Sequence, residues 1–165
     1  MASSSSDRHD DRPWTGGCQC GELRYAIERD AIQTLYGCHC LECQRQSGSA
    51  FGLSLTLEPR GLRITRGKPR SWVRIADTGA TNRAHFCPTC GVRLYHDGGE
   101  DSDWISLKAG TLDETGGLRP VGHIWTKRAQ PWVTLPESLL LYEGQPESYD
   151  ALIAAWREGA GRSGS

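Results

Sequence analysis

In Cys87-Pro88-Thr89-Cys90-Gly91, two thiols stand three residues apart in a stretch that must turn sharply. Two thiolates at that spacing can chelate one ion while the turn aims backbone N–H groups at the sulfurs. Glycine after the second cysteine permits the left-handed conformation such turns often need. The stretch therefore reads as a zinc knuckle. One knuckle supplies two ligands, and a closed structural zinc site takes four. The other five cysteines fall in two bunches, Cys18-Gln19-Cys20 and Cys38-His39-Cys40-Leu41-Glu42-Cys43.

Two partitions complete a four-sulfur site. Cys40 and Cys43 would give a ribbon-like pairing of CxxC with CxxC and strand Cys18, Cys20 and Cys38. Cys18 and Cys20 would instead leave Cys38, Cys40 and Cys43 together. The second partition uses all seven as four plus three, and three protein ligands leave the fourth position open, as in catalytic zinc sites. Spacing leaves both partitions standing. It also leaves open that the trio is a second structural site closed by His39 or another residue. An odd cysteine number argues against a pure disulfide framework. Met1 to Trp14 has no apolar stretch of the secretory kind, so the expected compartment is the cytoplasm, where thiols stay reduced.

Around these clusters the chain of 165 residues has the size of one domain. Six tryptophans can bury enough area to exclude disorder throughout. No run of apolar residues reaches the ~18 needed to span a bilayer, so no membrane contact is expected. A net charge of −1 provides no global field toward nucleic acid.

Most of the middle alternates in period two. Leu23, Tyr25 and Ile27 share one strand face, as do Phe51, Leu53, Leu55 and Leu57. Further strands are predicted over 32–36, 62–65, 71–76, 81–86, 92–96, 104–109 and 121–126, separated by glycine and proline. Two short helices are predicted, one over 41–47 and one over 148–158, with Ser148 as N-cap, Leu152, Ile153 and Trp156 as its apolar stripe and Gly159 as its stop. Residues 127–146, with Pro131, Pro136 and Pro146, read as an extended surface segment. The fold class is mainly β with one or two short helices. The domain plan is a disordered lead over 1–13, a zinc domain over 14–143, a C-terminal helix over 144–158 and a flexible tail over 159–165.

Gly16-Gly17-Cys18-Gln19-Cys20-Gly21 followed by Arg24-Tyr25, then Cys38-His39-Cys40-x-x-Cys43 with Gly48 and Phe51, then Phe86-Cys87-x-x-Cys90-Gly91, resemble the ordered motifs of the glutathione-dependent formaldehyde-activating enzyme (GFA-like) family. Ala109-Gly110-Thr111-Leu112-Asp113, His123-Ile124-Trp125 and Pro131-Trp132 add to the likeness, which runs from about Trp14 to Glu143. The resemblance implies an Mss4-like fold of coiled β-sheets around zinc. It implies a structural zinc on Cys18, Cys20, Cys87 and Cys90, and a second, catalytic zinc on Cys38, Cys40 and Cys43, which the charge of three thiolates should make labile. The implied activity is that of a carbon–sulfur lyase, which adds glutathione reversibly to formaldehyde or a related small aldehyde. A zinc-stabilised binding module without catalysis is the competing expectation.

Arg60, Arg63, Arg66, Lys68, Arg70 and Arg74 form a stretch with no acid. It could contact phosphate, or hold glutathione carboxylates if it borders the second cluster. As the solvated face of two strands it needs neither, and nucleic acid is not an expected partner. His85 and His123 read as hydrogen-bonded strand histidines, with a cleft position for His123 as the alternative. Trp125 and Trp132 read as core or cleft wall.

Overall fold

The computed structural model describes residues 12–76 and 79–159. The predicted lead lies almost wholly, and the predicted tail from residue 160 onward, outside the described residues. In chain order the strands are β1 (Trp14–Gly17), β2 (Arg24–Ile27), β3 (Ile32–Cys38), β4 (Gly52–Leu57), β5 (Leu62–Arg66), β6 (Arg70–Ile75), β7 (Thr81–Phe86), β8 (Arg93–Asp97), β9 (Ile105–Lys108), β10 (Gly122–Ile124) and β11 (Leu140–Leu141). The helices are α1 (Leu41–Ser47) and α2 (Asp150–Arg157).

The strands form a three-stranded sheet, β1-β2-β5, and an eight-stranded sheet, β11-β10-β3-β4-β9-β8-β7-β6. The fold is mainly β and consistent with the Mss4-like class. β10 pairs parallel with β3 and β11, and the other pairs are antiparallel. β1 is a strand the alternation did not predict, because Trp-Thr-Gly-Gly is too short and too glycine-rich to show a period. The segment 127–146 is mostly irregular, as expected, but Leu140 and Leu141 pair with β10.

Register gives the large sheet two unlike faces. Residues directly opposite one another share a face. One row runs Leu35, Leu55, Leu107 and Tyr95. It is apolar and belongs to the same buried cluster as Leu23 and, in β2, Tyr25 and Ile27. Fully burying each such leucine contributes roughly 1.5–3 kcal/mol.

The neighbouring row, on the opposite face, runs Thr34, Thr56, Ser106, His96, Ala84 and Trp72. That face is polar through its middle, and Thr34, Ser54 and Ser106 are buried in it. α2 covers one end, where Thr34 donates to the carbonyl of Leu152 at 2.9 Å. Ser148 accepts the N–H of Asp150, so the predicted capping residue starts α2 from one position further out than expected. Leu152 and Trp156 bury into the main cluster, whereas Ile153 is half-buried and lines the cleft beside it. α1 keeps its predicted limits and lies across the other end of the polar face, with the Cys43 sulfur 3.6 Å from where a Cβ on Gly52 would stand.

Candidate metal centres

The first cysteine group joins two loops far apart in sequence. Cys18 and Cys20 follow β1, and Cys87 and Cys90 follow β7. The four sulfurs lie within 4.8 Å of one another. Cys18 and Cys20 are 3.5 Å apart, and Cys20 and Cys87 are 3.7 Å apart. Four sulfurs held ~2.3 Å from a tetrahedral ion would be ~3.8 Å apart, so the spacing fits a zinc cage.

The backbone supports it. The N–H of Leu23 donates to the Cys18 sulfur at 3.2 Å. Gly91 takes the left-handed φ of 75° that the knuckle motif requires, and its N–H closes the turn on the Cys87 carbonyl. Thr89 donates to Glu22 at 2.9 Å and ties the two loops together. Backbone N–H groups of Val92 and Cys20 hold Cys90 at about 6. The N–H of Glu22 lowers Cys20, but the crowded sulfurs of Cys18, Cys90 and Cys87 prevail and push it up to about 12. Four sulfurs this close ionise together only with a shared cation between them.

The second group is local. Cys38 ends β3, Cys40 sits at the N-cap of α1, and Cys43 lies in its first turn. Their sulfurs also fall within 4.8 Å of one another. The Cys40 sulfur accepts the N–H of Cys43 at 3.4 Å, and the Cys43 sulfur accepts the Gln46 side-chain amide at 3.4 Å. Hydrogen bonds shared with Cys38 and Cys43 hold Cys40 at about 2, and the same sharing drives Cys38 well up. Three converging sulfurs suit a thiophilic ion.

Among the described residues this group has three members, and His39 is not one of them. His39 turns away and meets His123, with Nε2 and Nδ1 2.9 Å apart. Both rings are buried and pack against Phe51. Burial, with His39 beside it, lowers His123 to about 4. A Cβ on Gly37 would strike the His123 ring, so only glycine allows this approach.

The two groups differ in surroundings. Cys38, Cys40 and Cys43 line a cleft of about 1010 Å³ over the polar face of the large sheet, and none of the other four cysteines lines it. Trp125 lines the same cleft, at a left-handed φ of 60° that is strained for a tryptophan. Trp132 does not line the cleft; at 75% exposed it is neither core nor wall, contrary to expectation. His85, two residues before Cys87, bonds to Asp97 at 2.9 Å and stacks on Tyr95, and it is a member of neither sulfur group.

The basic stretch is divided between sheets. Arg63 and Arg66 lie on β5, and Arg70 and Arg74 on β6. Arg60 pairs with Glu58 and Asp30. Of the six, Arg74 alone lines the cleft. Arg45, Arg93 and Arg128 line it too. None of these three was singled out by sequence, because none lies in a run of like residues long enough to stand out. Lys108 and His96 were missed for the same reason.

The sequence profile described as "glutathione-dependent formaldehyde-activating enzyme" matches residues 13–128. Among solved structures, a Rhodobacter sphaeroides protein is similar, with a TM-score of 0.48 and 22% identity, over 61% of this chain and 89% of that one.

Proposed function

Because the chain belongs to the glutathione-dependent formaldehyde-activating enzyme family, we propose that it is a zinc-dependent carbon–sulfur lyase that adds a thiol of the glutathione type reversibly to formaldehyde or a related small aldehyde. Cys18, Cys20, Cys87 and Cys90 hold a structural zinc, and Cys38, Cys40 and Cys43 hold a second, more labile one. The observation that carries this reading is the contrast in surroundings: the three-sulfur group lines a cleft large enough for a tripeptide and the four-sulfur group does not.

Zinc bound by the trio would supply thiol deprotonation and Lewis acidity at the cleft floor. The chain's own residues do the rest. Arg45, Arg74 and Arg128 at the cleft offer guanidinium groups to the two carboxylates of glutathione. Glu42 and Asp103 offer carboxylates to its amino group. Trp125 and Tyr149 form apolar wall that excludes water from the reacting carbon. In the reaction the thiol sulfur bonds to the aldehyde carbon, and the thiol proton ends on the aldehyde oxygen. Residues 14–143 with the following helix act as one folding unit. Seven free thiols suit a reducing compartment such as the cytoplasm. No helix among the described residues is long and apolar enough to cross a membrane.

The test is exchange NMR of glutathione, formaldehyde and S-hydroxymethylglutathione at equilibrium. The zinc-loaded protein should accelerate interconversion, and Cys43→Ser should abolish the acceleration while the protein stays folded. Zinc-loaded protein that leaves the exchange rate unchanged would refute catalysis and favour a zinc-stabilised binding module.

A further inference from the structure

Three thiolates already outweigh the charge of a divalent ion, and a fourth would add another negative charge in a partly buried place. Such a site needs positive charge nearby. Two cations supply it from strands β9 and β8.

Lys108 lies directly opposite Ser54 on β4. It is therefore diagonal to Gly52, over which the Cys43 sulfur sits. Diagonal neighbours stand ~7–8 Å apart, a gap that a long side chain spans. Its Nζ is sealed from solvent and makes no hydrogen bond among the described residues. Burial, with Arg93 nearby, keeps the ammonium below its ordinary value, and the sulfurs of Cys43, Cys38 and Cys40 oppose that fall. Its counter-charge is thus the sulfur trio, across a medium that screens poorly.

Arg93 reaches the same sulfur by relay. Its Nη1 donates to Gln46 Oε1 at 2.9 Å, and the Gln46 amide donates onward to the Cys43 sulfur at 3.4 Å. A cation at one end of an amide strengthens the hydrogen bond its other end gives.

We propose that Lys108 and Arg93, the latter through Gln46, are positioning cations that set the Cys38/Cys40/Cys43 group to take a thiolate, rather than a neutral ligand, in its fourth position. This rests on the reading of the trio as a metal site open to a thiol. Neither cation touches the reacting atoms. Their role is to offset charge at Cys43, so that the incoming thiol gives up its proton to solvent as its sulfur is bound.

The test uses full-length protein loaded anaerobically with cobalt(II), whose sulfur-to-metal charge-transfer band reports each added sulfur. Two probes are compared: 2-mercaptoethanol, uncharged until it binds as a thiolate, and imidazole, which binds neutral. Lys108→Met should weaken thiol binding roughly ten-fold and leave imidazole binding unchanged. Lys108→Arg should restore most of the loss, and Gln46→Leu should give a smaller loss of the same kind. Equal loss of both probes, or no loss, would overturn the proposal. If Lys108→Met does not fold, Gln46→Leu decides alone, and an unchanged ratio of the two affinities would overturn it. Wild-type protein that binds cobalt only at the four-sulfur group would overturn the underlying reading and this proposal with it.

Discussion

His39 Nε2 and His123 Nδ1 lie 2.9 Å apart across strands β3 and β10, and this bond pins the residue between Cys38 and Cys40 to the sheet. One ring must donate and the other accept, so the pair is held with at most one proton between those nitrogens. The loop carrying the cysteine trio is positioned by a contact on the face away from the cleft.

Breaking that contact should loosen the trio without touching a sulfur. His123→Phe keeps an aromatic ring and removes both ring nitrogens. Zinc affinity at the second group should fall by roughly 10- to 100-fold, as for other supports behind a metal ligand. The four-sulfur group should keep its metal. Competition with a zinc-selective dye, read as two separate affinities, checks this.

The two sulfur groups should respond differently to loss of one member. Zinc at a four-thiolate site contributes about 10–16 kcal/mol of apparent binding free energy, comparable to the ~5–15 kcal/mol stability of a whole domain. Cys90→Ser should therefore unfold or precipitate the protein, whereas Cys43→Ser should leave it folded. Urea unfolding followed by tryptophan fluorescence distinguishes them, and equal destabilisation would argue against the four-plus-three division.

Metal content should be uneven in the purified protein. A closed four-sulfur cage holds its ion firmly, while three sulfurs beside an open cleft lose theirs to a competitor. Elemental analysis should find more than one and fewer than two zinc ions per chain, falling to one after brief chelator treatment. Two ions that both resist the chelator would contradict this.

Acid should destabilise the fold through its buried histidines. His123 is held at about 4, below its ordinary value, so the folded state binds fewer protons than the unfolded one between pH ~6.5 and ~4. Its contribution is fully present above pH ~6.5 and is lost as pH falls toward 4. Chemical denaturation at a series of pH values should give a slope that is smaller by about one proton in His123→Phe.

At the cleft mouth, Arg128 is exposed, so its charge is well screened. Arg128→Gln should raise KM for glutathione only a few-fold, in keeping with ~0.2–1 kcal/mol for exposed ionic contacts, and should leave kcat unchanged. The effect should shrink as salt rises. A fall in kcat alone would place Arg128 in the chemistry rather than in binding.

Strand and helix assignments were legible because they depend on near neighbours. Alternation in Phe51, Leu53, Leu55 and Leu57 and the limits of α1 follow from side-chain period and cap chemistry within a few residues. The left-handed Gly91 and the compact Cys38-to-Cys43 loop are local in the same sense. β1 escaped notice because four residues carry no period, and Trp132 was misjudged because exposure depends on what the rest of the chain brings to it.

The sequence alone therefore determined a β-rich chain with three thiol-bearing turns, since backbone geometry and ligand spacing act over short distances. Only the tertiary structure decided which turns share a cage, which sulfurs face the cleft, and that Arg93 is linked to Cys43 through Gln46. Those relationships rest on strand register, which joins residues tens of positions apart. Register is set by burying one whole face of the sheet, a property of the assembled strands that no single stretch carries.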